Sequence, residues 1–362
     1  MSNSYIVVGQ GLAGSILVYE LLRQGHTVTV IDKDSGAGSS RVAAGIYHPL
    51  VFKRTTLTWK YEVLFDFLET YYPELEKELG GKFYHPMPYL RYFASQGERD
   101  NWVNFKEQDE YKPFLGDDMD ESPVEGVTPT FGVGYVKRSG WVDTNLLLDL
   151  FRIYFIEREL LIEDNFDYNL IEFREGKVAY KHLLADKIIF AEGYGVTQNP
   201  YFNYLPLKAT KGQVLTAEVN GLVEDGIINR KVFALPLGSN QFKVGSTYEW
   251  QWEHNEPTPE LKLDLETKLA GLVDLPFKTL SHEAGVRPSV TDRRPLIGLH
   301  PQHPQLGVFN GMGSKGVMMA PYFAKQFSDW LIGLGELDKE ADIKRVNYEL
   351  YFSKLLFQTR KE

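Results

Sequence analysis

The feature that most constrains this chain is a run of glycines directly behind its first apolar strand, Tyr5-Ile6-Val7-Val8-Gly9-Gln10-Gly11-Leu12-Ala13-Gly14. The first glycine permits a tight turn, the second lets backbone approach a pyrophosphate, and the third lets helix and strand pack closely. Residues 11–24 read as a helix with Ile16, Leu17, Leu21 and Leu22 on its inner side, closed by Gly25 and His26. Residues 27–31 then alternate into a second strand ending at Asp32, 18 residues beyond Gly14. A carboxylate there accepts hydrogen bonds from ribose hydroxyls and repels a 2′-phosphate. A chance glycine-rich turn beside a solvated aspartate is the competing reading.

A second glycine turn, Gly311-Met312-Gly313-Ser314-Lys315-Gly316, leads into an apolar helix over residues 316–332. One such loop suffices for a pyrophosphate. Two suggest a cofactor long enough for its far end to be held by the returning chain, which fits FAD better than NAD. After Asp32 a NAD domain would continue in βαβ units. Here the chain enters residues 35–49, a loop of small side chains around Arg41, Ala43, Ala44, Gly45 and Ile46, and these let backbone approach a flat ligand closely.

Further along, residues 56–79 read as one long helix, and 83–93 and 131–136 as strands with an acidic loop between them (Asp117, Asp118, Asp120, Glu121). Asp143 reads as the N-cap of a helix to about Glu159. Residues 161–163, 168–173, 177–180 and 187–190 read as strands, and 207–275 as β-type alternation with a polar aromatic loop at 248–256. The expected fold class is α/β (mixed α+β). It comprises a discontinuous FAD-binding Rossmann-like domain of glutathione-reductase type, residues 1–82, 137–206 and 276–362. An antiparallel β-sheet substrate domain, 83–136 and 207–275, is inserted into it.

The chain has 362 residues, enough for two domains. A net charge of −10 disfavours a polyanionic partner, although a local basic rim of Lys53, Arg54, Lys208, Lys211, Arg293 and Arg294 keeps tRNA open. With no cysteine there are no disulfides, zinc–cysteine sites or cysteinyl-flavin bonds. Non-covalent FAD and no metal are expected; His300 and His303, in a proline loop, read as surface residues. No apolar run reaches membrane-spanning length, and the start resembles no signal peptide, so a soluble cytoplasmic protein is the default expectation.

Taken with the first glycine run, Gly285-Val286-Arg287-Pro288 through Gly298 and Phe309-Asn310-Gly311 through Pro321 resemble the D-amino-acid oxidase superfamily of FAD enzymes. That superfamily includes glycine oxidase and sarcosine oxidase. Gly140-Trp141-Val142-Asp143, Ala191-Glu192-Gly193, Lys211-Gly212-Gln213 and Val244-Gly245-Ser246-Thr247 match in the same order across almost the whole chain. The turn at 311–316 looks most like the FAD domain of the enzyme that oxidises a carboxymethylaminomethyl group on tRNA wobble uridines, where the position of Lys315 is also basic.

The resemblance implies a Rossmann-like FAD domain and hydride transfer from the α-carbon of an amine to flavin N5, giving an imine that water hydrolyses. It implies FAD contacts from Gly9, Gly11, Leu12, Ala13, Gly14, Asp32, Lys33, Ser40, Arg41, Ala43, Ala44, Gly45 and Ile46. Further contacts fall on Asp167, Ala191, Glu192, Gly193, Met312, Gly313, Ser314, Lys315, Gly316 and Val317. Arg287 stands where relatives hold substrate carboxylate, a task suited to a bidentate guanidinium, with a structural ion pair as the alternative. Amides of Gly313 to Gly316, with the helix behind them, would stabilise charge on reduced flavin. Lys315 would add a positive charge there, or else face solvent. Tyr248 and His48 are softer substrate-side candidates, each with a packing role as its alternative. Phe233 replaces a substrate-binding tyrosine of glycine oxidase, which implies a different or bulkier substrate. The electron acceptor is left open, with O2 one candidate.

Overall fold

The computed structural model describes residues 2–33, 38–52, 55–127 and 129–346. The chain forms two compact units. One comprises Met1–Ser40, Asn145–Thr210 and Arg287–Glu362, the other Arg41–Thr144 and Lys211–Val286.

The first unit is built on a six-stranded sheet. Its strands are β1 (Ser4–Val8), β2 (Thr27–Asp32), β3 (Leu161–Glu163), β4 (Lys187–Phe190), β5 (Leu296–Leu299) and β6 (Leu306–Asn310). They lie in the order β3-β2-β1-β4-β6-β5, all parallel except β5 against β6. Parallel strands covered on both faces become continuous apolar runs, and Ile6, Val7, Val30, Ile188, Ile189 and Phe190 are all buried. The helices α1 (Leu12–Arg23) and α2 (Gly316–Leu331) pack on each other, and the Gln24 amide ties them by donating to Ser328 and Asp329 at 2.8 Å. Both glycine-led helices and strands β1 and β2 therefore match the sequence expectation within a residue or two.

The second unit carries an eight-stranded sheet. Its members include Tyr89–Tyr92, Leu115–Met119, Val133–Val136, Thr210–Val219, Phe233–Gly238, Gln241–Gly245 and Phe277–Arg287. The described pairings are antiparallel apart from Ile227–Asn229 beside Tyr89–Tyr92. Residues 41–82 pack here, because Ile46–Tyr47 pairs with Gly140–Val142 and the helix Tyr61–Leu79 buries Leu64, Phe65, Leu68 and Tyr72.

Several expected elements differ. The long helix starts at Tyr61, since Thr56–Leu57 folds back on Leu50–Val51 and Thr58 N donates to Pro49 O. Residues 83–93 divide between two sheets at Met87 and Pro88. The acidic stretch at 117–121 is partly an edge strand, because Asp118 is neutralised by Arg99 and Lys106. Residues 168–170 form a 3-10 turn capped by Asp167, not a strand. Within 207–275 lies a helix, Pro259–Ala270, with Pro at its first position.

Candidate functional site

In the first unit the glycine constraints are steric and specific. A Cβ added at Gly14 would lie 2.0 Å from the Gly9 carbonyl oxygen, and one at Gly9 (φ +102°) 2.7 Å from Ala191 O. At Gly11, by contrast, a Cβ would meet only Ser40 Oγ, at 3.5 Å. Gly9 and Gly14 are thus required by the fold, whereas Gly11 faces room. That space lies at the start of α1, where no side chain caps Gly11 and Leu12 N donates to Ser40 Oγ at 3.2 Å. Asp32 ends β2 and accepts from Gln10 N at 2.8 Å, so its carboxylate braces the glycine loop. Lys33 beside it is exposed.

The second glycine turn comes to the same place. The ideal Cβ position of Gly316 is 3.2 Å from Leu12 Cδ2, so the starts of α1 and α2 touch. Gly313 N donates to Pro288 O at 3.2 Å, which sets the segment following Arg287 against this turn. Arg287 itself is half-buried at the end of its strand. Of the four amides expected to face a flavin, those of Gly313 and Lys315 are already engaged, the latter with Met312 O at 3.1 Å. That corrects the expectation for the group of four; Ser314 is exposed, and Met312 and Val317 are buried. Lys315 is half-buried, and burial together with the nearby charge of Arg293 pulls its ammonium down to about 8.

The end of β4 completes this cluster. Glu192 turns its carboxylate to Tyr168 OH (2.6 Å) and Asn199 Nδ2 (2.9 Å). Burial pushes its acid up, and the two hydrogen bonds oppose that shift. Asp167 is exposed, and its carboxylate is engaged by the backbone and side-chain nitrogens of Asn169 at 3.0 Å. Two contributors are not among the expected site residues. Asn310 bridges Gly193 and Gly311, and Gln10 links Leu148 O to Arg152 Nη1. Asparagine before glycine was the only signal for the first, and nothing marked Gln10 within its fingerprint.

The second unit gathers a different set. Gly45 (φ +64°) lies against the strand at Val142, whose N donates to Gly45 O at 3.0 Å. Ala44 and Ile46 pack with Leu50, Tyr89 and Phe233, Ala43 is exposed, and Arg41 is half-buried. His48 stacks on Phe52 (4.7 Å between centroids) and tilts against Tyr89 (5.0 Å). Tyr248 is 60% exposed and close enough to Tyr89 to raise the pKa of that buried phenol, though burial is the main cause. Lys243 was missed: it is buried, and its Nζ donates to Val42 O and Ala43 O at 3.3 Å. Desolvation lowers its ammonium, against the pull of Glu283 and Asp143. An isolated lysine in a strand ordinarily signals a solvent-facing position, and that is why it went unnoticed.

The expected basic rim is smaller than the sequence suggests. Lys211 is 1% exposed and pairs with Glu249, while Arg294 pairs with Glu340. Lys53 and Arg54 lie outside the described residues, which leaves Lys208 and Arg293 exposed. His300, expected at the surface, is buried because its Nδ1 accepts the N–H groups of Gln302 and His303 and so closes their turn. Burial and His303 take its imidazole down to about 4. No cluster with metal-ligand character occurs among the described residues, and none of their helices is long and apolar enough to cross a membrane.

Residues 4–330 match the family model described as FAD dependent oxidoreductase (DAO). The chain belongs to that family. It is 25% identical to the tRNA 5-methylaminomethyl-2-thiouridine biosynthesis bifunctional protein MnmC of Legionella pneumophila (strain Corby), covering 93% of this chain and 54% of that protein. The chain thus spans about half the length of these relatives. It is 23% identical to glycine oxidase of Pseudomonas putida, over 92% of this chain and 95% of that protein. The crystal structure of iminodiacetate oxidase from Chelativorans sp. has the same fold, with a TM-score of 0.75 at 19% identity, covering 93% and 97% of the two chains. This DAO-family protein is an FAD-dependent oxidoreductase. Its first unit fits that cofactor: an open glycine at a helix start and an acid at the end of β2 are the chemistry an adenine dinucleotide requires.

Proposed function

We propose that this enzyme oxidises the CH–NH bond of a small amino acid or N-substituted glycine, giving an imine that water hydrolyses to a carbonyl compound and an amine. The meeting of the two glycine turns beside the Arg287 segment carries this reading. The similarity to proteins named glycine oxidase and iminodiacetate oxidase supports an amine that bears a carboxylate.

Bound FAD supplies a two-electron acceptor. Gly9, Gly11, Leu12, Ala13 and Gly14 would hold its pyrophosphate on backbone amides and the start of α1. Asp32 would take ribose hydroxyls, and the backbone of Ala191–Gly193 and Met312–Val317 would wall the cofactor. Ser40, Arg41 and Ala43–Ile46 would supply the small-residue contacts. Glu192 would act through backbone alone, since both of its carboxylate oxygens are engaged elsewhere, and Asp167 would add a further contact.

Arg287 would anchor the substrate carboxylate and so orient the α C–H, which is catalysis by positioning. Lys315, close to half-protonated at pH 8, would be drawn to its charged form by an anion placed beside it. Tyr248 and His48 would contact the substrate, and Phe233 would favour a bulkier one than glycine.

The decisive experiment is anaerobic mixing of the yellow holoenzyme with glycine, sarcosine and iminodiacetate. Bleaching of the flavin absorbance by at least one is expected; if no amine or amino acid bleaches it, the substrate class is wrong. Hydrogen peroxide formed in air would identify O2 as final acceptor. The second reading, oxidation of a carboxymethylaminomethyl group on a tRNA wobble uridine, is favoured by the similarity to MnmC. The net charge of −10 weighs against it. It requires salt-sensitive tRNA binding, and none at low ionic strength would remove it.

A further inference from the structure

One buried side chain joins the two strand ends from which the proposed FAD contacts extend. Strands β4 and β6 pair in parallel as far as Phe190 opposite Val308. Beyond that point both chains enter left-handed glycine turns, at Gly193 (φ +55°) and Gly311 (φ +79°). Asn310 sits where they diverge and is 2% exposed. Its Nδ2 donates to Gly193 O at 2.9 Å, and its Oδ1 accepts from Gly311 N at 2.8 Å. A carbonyl needs a donor and an amide N–H an acceptor, so the two partners fix which way the Asn310 amide points.

The two tethered turns are walls of the same cradle. Gly193 is two residues past Ala191, whose carbonyl oxygen abuts Gly9, and Gly311 opens the turn that ends at Gly316 beside Leu12. A shift of either strand end would move backbone against the first glycine run. We propose that Asn310 is a positioning residue for FAD, setting the separation of the 191–193 and 311–316 turns without itself contacting the cofactor. The proposal rests on the assignment of those turns to FAD.

The test follows release of FAD from holoenzyme by the rise in flavin fluorescence, together with the flavin midpoint potential and the thermal midpoint. Asn310→Leu removes both hydrogen bonds and is expected to release FAD about ten-fold faster, with a displaced potential. Asn310→Asp is nearly isosteric and tests the donor alone. Ionised, it cannot donate to Gly193 O; protonated, it can, so its release should slow toward wild type as pH falls. Gly11→Ala serves as the control for the cradle itself, because its added Cβ meets only Ser40 Oγ. Accelerated release from Gly11→Ala with wild-type release and potential in both Asn310 variants overturns the inference, even if their thermal midpoints drop. Wild-type release from Gly11→Ala and the Asn310 variants alike removes the FAD assignment of the turns, and this inference with it.

Discussion

The two units build their candidate residues from different material. In the first, backbone does the work: glycines, amide groups and strand ends converge, and side chains such as those of Asp32 and Asn310 brace them. In the second, side chains from distant segments meet: His48 and Phe52 stack with Tyr89 and Phe233 joins the same cluster, while Lys243 reaches back to the carbonyls of Val42 and Ala43. A backbone-built site is fragile to any added atom, whereas a side-chain-built site should respond gradually and according to which atom is removed. The sharpest way to break that contrast is Gly14→Val. Its Cβ would overlap the Gly9 carbonyl, so a loss of about 3 kcal/mol or more in stability, with no retained flavin, is expected. Gly11→Ala should keep the wild-type melting curve of the apoprotein and lose FAD affinity only. Equal stability losses in the two variants would show that Gly11 is also demanded by the fold.

Arg287→Ala comes next in size. The flavin-to-protein absorbance ratio should persist, while kcat/KM for carboxylated amines falls about 100-fold, as loss of a charged anchoring pair implies. A decarboxylated amine should be far less affected. Wild-type kinetics with glycine or iminodiacetate would take Arg287 out of the substrate site and leave it a structural residue.

The contrast also explains what could be read in the sequence. The β1–α1–β2 unit, Asp32 and the helix after Gly311 were legible because each is specified within a few residues, by glycines whose Cβ would collide with backbone and by strands buried on both faces. Lys243 was not legible, because only the fold reveals that Val42 and Ala43 cover it. Asp118 read as loop because its neutralising partners, Arg99 and Lys106, lie in a helix that pattern alone did not show. The apparent basic rim failed for the same reason in reverse: Glu249 and Glu340 were invisible as partners until the chain was folded. Local steric demands are written locally; charge compensation is decided by tertiary neighbours.

Lys243→Met probes the side-chain-built region with a smaller expected effect. It relieves the burial of an ammonium but leaves the carbonyls of Val42 and Ala43 without that donor. These terms oppose each other, and a net loss of about 1 kcal/mol is expected from denaturant unfolding. A loss above about 3 kcal/mol would mean that this region is as unforgiving as the glycine turns, and would erase the distinction between the units.

The last probe is Lys315, where a side chain enters the backbone-built region. Its ammonium titrates near 8 in the folded protein instead of the usual 10.5, first because it is buried and second because Arg293 repels it. Between those two values the unfolded chain binds more protons than the folded one, so this residue makes stability rise with pH across that window. Below about 8 the penalty is fully present, and above 10.5 it is gone. Lys315→Met should therefore be more stable than wild type at neutral pH, with the difference shrinking steadily through the alkaline window. Parallel pH profiles of the denaturant midpoint for the two proteins would refute a buried, charge-penalised lysine. The same geometry gives an independent readout in the holoenzyme. A carboxylate seated beside Lys315 offsets its burial and the Arg293 charge, so binding acetate, which has no CH–NH bond to oxidise, should take up protons at pH 9. Calorimetry in two buffers of different ionisation enthalpy measures that uptake. Its disappearance in Lys315→Met, with binding otherwise retained, would place the lysine at the anion, whereas unchanged uptake would assign it to some other group.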